Sequence, residues 1–168
     1  MHQDFSLDLK LMADDVQLAY RRQGFNVWAT EFRYPTDRVV LPGTPDARPQ
    51  QINFAPDSIF VWLGTLISIR NAAGVETFRS TVGIQVRDAD SGYQFSAPPF
   101  QEIPAQLICG STSEPFILPC PYLWPPGGRC QVGLRTLNTA QLGTVLLELY
   151  GFKMFTQPFT RRLYYPDH

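Results

Sequence analysis

From Asp4 to Leu11 the chain alternates without a break, with Phe5, Leu7, Leu9 and Leu11 apolar and the positions between them polar. A period of two is the mark of a half-buried strand. Residues 1–22 therefore read as an N-terminal strand or arm. Within it, Met12 to Arg22 stays open between a short helix begun by Asp14 and Asp15 and a continued extended course. Gly24 to Tyr34 mixes β-branched and aromatic residues and predicts a strand. Ser58 to Arg70, SIFVWLGTLISIR, is apolar on both faces. It predicts a strand covered on both sides, or one whose outer face meets another subunit.

Alternation returns at Phe78 to Arg87, with Phe78, Val82, Ile84 and Val86 on one face. Asp88-Ala89-Asp90-Ser91-Gly92 then predicts a turn, and Tyr93 to Phe95 its returning hairpin partner. Ala105 to Cys109 reads as a short strand. Arg129 to Thr136 alternates with Cys130, Val132 and Leu134 inward, and Thr144 to Phe155 is the last and longest strand. Pro35 to Gln51 holds Pro35, Pro42, Gly43, Pro45 and Pro49 with few large apolar residues, and reads as a long loop (35–51). Many short strands broken by Pro and Gly turns predict one all-β domain over 1–168. The expected architecture is an antiparallel β-sandwich, jelly-roll-like, of about eight strands.

The stretch PFILPCPYLWPPGGRCQVGL, Pro115 to Leu134, qualifies that picture. Proline donates nothing to a ladder, so Pro115, Pro119 and Pro121 belong on a sheet edge or in a crossover. Pro125-Pro126-Gly127-Gly128 is a turn into the Arg129 strand. Trp124 beside that turn is expected to be partly exposed, as an anchor for a partner. With it go Tyr122, Pro125, Pro126, Trp62 and Phe60 as candidate interface residues.

Composition narrows the function. Of the 168 residues 17% are charged, below the usual ~25%, which suits a surface partly covered by partners. A net charge of −1 gives no bulk attraction to nucleic acid or to an anionic membrane. No apolar run approaches the ~20 residues of a membrane helix, and the N-terminus has no signal-peptide pattern. Three cysteines without CxxC spacing, Cys109, Cys120 and Cys130, read as buried reduced thiols made in a cytosol.

Catalytic chemistry finds little footing. The two histidines are His2 and His168, so neither a Ser-His or Cys-His pair nor a His-ligated zinc site has a histidine in the body of the fold. Asp57, Glu76, Glu102, Glu114 and Glu148 could supply a carboxylate pair for glycoside hydrolysis, but no spacing selects two of them. DADSG resembles the opening of a calcium loop, yet the downstream Glu is misplaced, and a hairpin turn is the plainer reading. Gly127-Gly128 lacks the Lys-Ser or Lys-Thr of a phosphate loop. The chain is expected to be no enzyme and to need no cofactor or metal.

The order of landmarks between Tyr93 and Phe155 resembles a known group. Pro99-Phe100 is followed by PF-x-LP at Pro115 to Pro119, then by PY-x-x-PPGG at Pro121 to Gly128. An alternating strand follows, then Asn138-Thr139-Ala140, and the segment closes on LYGFKMF, Leu149 to Phe155. This is similar to small β-sandwich accessory virion proteins of tailed bacteriophages, over a little more than a third of the chain. The resemblance implies a structural protein that decorates or cements the capsid, or sits at the neck or tail. Its partners would be the major capsid protein or a neck or tail protein, and copies of itself, a trimer being favoured. It would be made in the host cytoplasm and reside in the virion. A carbohydrate-binding β-sandwich in a host-recognition device is the alternative, and exposure of Trp28, Trp62 and Trp124 separates the two: a flat, open aromatic shelf favours sugar, and aromatics buried between chains favour assembly.

Overall fold

Strand pairing in a computed structural model of the chain follows a nested order. The structure describes residues 5–36, 39–41, 49–71, 73–76, 82–95, 103–111, 115–136 and 143–158. Helix α1 (Phe5–Arg22) precedes β1 (Phe25–Pro35), β2 (Val39–Leu41), β3 (Gln50–Asn53), β4 (Ile59–Asn71), β5 (Val82–Asp88) and β6 (Ile103–Pro104). A one-turn helix α2 (Ala105–Ile108) leads to β7 (Phe116–Trp124), β8 (Arg129–Thr136) and β9 (Gly143–Pro158). All strand pairs are antiparallel: β1 with β9, β3 with β8, β4 with β7 and β5 with β6. That is one long ribbon doubled on itself. It is then rolled, so that β9 also meets β4 and β8 meets β5. One sheet runs β1-β9-β4-β7, with β2 added against the start of β9, and the other runs β3-β8-β5-β6. This is the jelly-roll wrap.

The inward faces follow the alternation in the sequence. Val82, Ile84 and Val86 of β5 and Cys130, Val132 and Leu134 of β8 enter one core with Phe60, Trp62, Ile67 and Ile69 of β4. Aromatic rings fill the middle of that core. Phe54 contacts Phe60, Trp124 and Tyr34 at centroid distances of 5.3, 4.7 and 4.9 Å. Phe78, at the start of the predicted inward set, lies outside the described residues.

The apolar outer face of β4 has its cover within this chain. Val61, Leu63 and Leu66 join Val27, Tyr150 and Met154 in a second cluster, against which Met12, Val16 and Tyr20 of α1 pack. A bulge changes the side on which β4 residues emerge. Trp62 pairs with Gly151 and Gly64 with Tyr150, which leaves Leu63 as the extra residue. Phe60 and Trp62 thus point inward before the bulge, Ile67 and Ile69 after it. The Trp62 Nε1–H donates to the Gly64 carbonyl across 2.7 Å and pins the distortion. Gly151 is required opposite it, because a Cβ there would sit 1.9 Å from the Val61 carbonyl oxygen.

The N-terminal segment corrects the strand or arm expected over residues 1–22. It is an 18-residue helix. Eight alternating residues also contain i, i+4 apolar pairs, so they fit either period. The pattern is settled further on, where Met12, Ala13, Val16 and Tyr20 form one helical stripe over the sheet. Arg21 and Arg22 stand in the last turn, where cations favour the helix dipole. Gly24, at φ +88°, then turns the chain into β1.

Two smaller expectations also change. Ala105 to Cys109 is not a strand: its first four residues form α2, which the Cys109 N–H closes on the Ala105 carbonyl at 2.8 Å. The Pro35 to Gln51 loop is shorter than expected, since β2 lies within it and β3 begins at Gln50. Residues 37–38 and 42–48 of that loop lie outside the described residues.

Candidate functional site

The residues singled out as interface anchors are mostly core. Phe60, Trp62 and Trp124 are buried at 1%, 2% and 0% exposure, so none of them meets a partner in this fold. Trp124 was expected near the surface because a Pro-Pro-Gly-Gly turn follows it. Instead its indole is enclosed by Phe54, Phe95 and Tyr122. Its Nε1–H finds no hydrogen-bond partner among the described residues. Pro125 and Pro126 are exposed in the turn, which Gly127 makes at φ +71°. Tyr122 is half-buried, and its hydroxyl donates to Asp88 Oδ2 at 2.9 Å.

The prolines sit where their missing N–H predicts. β7 is an edge strand, and the ladder to β4 steps from Trp62–Tyr122 to Gly64–Ile117. Leu118-Pro119-Cys120-Pro121 therefore stands out of register with β4. Cys120 is exposed there, which corrects the expectation of three buried thiols, while Cys109 and Cys130 are buried. Burial first, then the nearby Asp88 charge, pushes the Cys130 thiol up to about 12.

The DADSG segment is a hairpin turn. Asp88 Oδ1 accepts the N–H groups of Asp90 and Ser91 at 2.8 and 3.2 Å. The Tyr93 carbonyl accepts the Asp88 N–H at 2.8 Å, and Gln94 bridges back to Arg87. Burial pulls the Asp88 carboxyl upward. Hydrogen bonds from the Ser91 hydroxyl, the Asp90 and Ser91 amides and Tyr122 outweigh it and hold the group below the ordinary value. Asp90 takes the Arg129 Nε–H at 2.9 Å and its backbone N–H at 3.0 Å, which ties the turn to β8. No group of three metal-ligating side chains forms among the described residues. Glu102 and Glu114, two of the carboxylates weighed for hydrolysis, lie outside them.

An exposed aromatic surface that the interface prediction did not contain lies on β1 and β9. β1 and β9 form a ribbon whose one face carries Val27, Tyr150, Phe152 and Met154 under α1. The opposite face carries the register pairs Tyr34–Leu149, Phe32–Gly151, Thr30–Lys153, Trp28–Phe155 and Asn26–Gln157. It leaves the core at Tyr34, which touches Phe54 and Phe60 and whose hydroxyl accepts the Ala55 N–H at 2.9 Å. From Tyr34 to Asn26 it extends about 26 Å at the usual rise per strand residue. Phe32 is half-buried, with the Lys153 ammonium 3.8 Å above its ring. Farther out, Trp28 is 45% exposed and lies parallel to Phe155, with centroids 5.5 Å apart and planes 11° from parallel. Asn26, Thr30 and Gln157 beside them are exposed. Alternation in the sequence places Trp28 and Phe155 on single faces of their strands. Only the pairing of two strands more than a hundred residues apart brings them together.

No family model and no curated protein matches the chain. Among solved structures it is similar to a chain described as "Crystal structure of infectious bursal disease virus VP2 subviral particle", at 6% identity and a TM-score of 0.29. The similarity covers 80% of this chain and 37% of that one. At that score it has no bearing on function, and the jelly-roll assignment rests on strand order alone.

Proposed function

We propose that the chain is a structural protein of a tailed-phage virion. It acts without catalysis, by packing against copies of itself and against a capsid, neck or tail protein. The observation that supports this is the open aromatic face of the β1–β9 ribbon. A sheet face that continues the core direction is normally covered by another layer. Here Trp28 stays 45% exposed and stacked on Phe155. Aromatic side chains of this kind are the usual anchors of protein interfaces, because they bury much area at small entropic cost. The low charged fraction of 17% fits a surface meant to be covered. The jelly roll is shared by viral capsid and lectin domains, so the fold is compatible by analogy and does not decide between them, and in the lone chain the open shelf of Trp28 and Phe155 also fits the carbohydrate alternative. α1 already covers the outer face of β4, so that strand no longer argues for a partner.

Sedimentation of the purified chain at micromolar concentration, alone and with empty phage heads, is the test. A self-associated species, a trimer of 19.0 kDa chains being favoured, or co-sedimentation with particles is expected. A lone monomer that also fails to bind particles overturns the proposal.

A further inference from the structure

The outer face of the four-stranded sheet differs in chemistry from the aromatic ribbon. Strand pairing sets Gln94, Arg87, Gln131 and Gln51 in one row across it. Gln94 bridges to Arg87, Arg87 pairs with Gln131, and Gln131 pairs with Gln51. The adjacent row holds Gln85 opposite Gly133, where the missing side chain opens a notch. A Cβ at Gly133 would lie 3.4 Å from Gln85 Cβ and 3.5 Å from its Oε1. The result is a groove of about 370 Å³ lined by Pro49, Gln85, Arg87, Gln94, Gln131 and two glycines. That volume is within the range of small-molecule sites, about 300–1,000 Å³.

The lining is selective in what it offers. Three primary amides supply donors and acceptors in fixed pairs. Arg87 adds one guanidinium, whose Nη2–H donates to the side-chain Oε1 of Gln131 and so is oriented before any ligand arrives. No carboxylate lines the groove and no ion pair joins Arg87 among the described residues. A guanidinium that meets no carboxylate among the described residues suits the carboxylate of a ligand. The surrounding amides suit vicinal hydroxyls, which donate and accept as they do. One guanidinium and a net charge of −1 do not suit a nucleic-acid backbone, whose binding rests on several neutralised phosphates.

We propose that this groove binds a carboxylate-bearing saccharide unit, with Arg87 on the carboxylate and Gln85 and Gln131 on ring hydroxyls. The site is independent of the aromatic ribbon, which belongs to the other sheet.

The test is amide-resonance titration of the full chain with a hyaluronan tetrasaccharide, with maltotetraose as the neutral sugar, and with acetate and a glutamine-rich peptide as controls. Saturable shifts on β5 and β8 with the acidic sugar are expected, with maltotetraose about tenfold weaker. Arg87→Gln should remove that preference, lowering affinity for the acidic sugar about tenfold and leaving the neutral one unchanged. Gly133→Val should abolish binding of both while the amide spectrum stays folded. Trp28→Ala should leave the titration unchanged, so failure of the assembly reading and failure of this one remain separate. Absence of shifts with the acidic sugar, equal binding of acetate or of the peptide, or insensitivity to both groove variants overturns the proposal.

Discussion

The Tyr122 hydroxyl donates to Asp88 Oδ2 at 2.9 Å, which joins the edge strand of one sheet to the end of a central strand in the other. The same carboxylate closes its own turn through two backbone amides, so one side chain serves both a hairpin and the joint between layers. Tyr122→Phe removes the joint alone and should cost about 1–2 kcal/mol in urea unfolding at neutral pH, a hydrogen bond to a charged group in a half-buried place. Asp88→Asn should cost more, because it disturbs the turn as well.

Acid should weaken the fold through the same group. The folded-state pKa of Asp88 is depressed, so its contribution is complete above the unfolded value of about 3.9. It is lost as pH falls below that value through the depressed one. Urea midpoints measured from pH 6 to pH 2 should decline in that window for the wild type and decline less for Asp88→Asn.

Trp28 and Trp124 should separate assembly from folding. Trp28→Ala loses a stacked pair at the surface, about 0.5–1.5 kcal/mol, and should leave the thermal transition nearly in place while weakening self-association or particle binding. Its emission should not change with neutral sugars; a saturable change would move the ribbon to the carbohydrate reading. Trp124→Ala opens a cavity in the aromatic core and should cost about 3–5 kcal/mol, seen as a large drop in melting temperature.

Gly151→Ala should be among the most damaging small substitutions. Its Cβ would fall 1.9 Å from the Val61 carbonyl oxygen and 3.2 Å from Phe60 Cε2, and the first of these is backbone that cannot step aside cheaply. The bulge at Leu63 would have to reorganise. The expected outcome is an insoluble chain or a loss of at least about 3 kcal/mol, the upper end for an overpacked site.

The three thiols should divide two to one. Cys120, exposed in the Pro-Cys-Pro segment, should react with an aromatic disulfide reagent within minutes at pH 8, while Cys109 and Cys130 should react only on unfolding. Cys130 is a thiol raised to about 12, so the stability it lends is complete below its unfolded value near 8.5 and fades as pH rises toward 12. Alkaline unfolding of Cys130→Ala should be shallower over that span.

The sequence by itself determined the strands whose two faces differ. β5 and β8 alternate because one side meets the core and the other meets water, and a period of two records that directly. Their inward residues, the edge position of Pro119 and Pro121, the Pro125–Gly128 turn and the jelly-roll class were all legible, since each follows from local chemistry. What covers a face is not local. Asp4 to Leu11 fits a strand or a helix equally over eight residues, and helix won because Met12, Val16 and Tyr20 find the outer face of β1, β9 and β4. That cover also explains how β4 can be apolar on both sides without a second subunit. Trp124 and Trp28 carry the same side chain in similarly apolar surroundings. Tertiary pairing alone decided that the first is closed in by Phe54, Phe95 and Tyr122, and that the second lies open on a ribbon extending beyond Tyr34, where the contacts with Phe54 and Phe60 end.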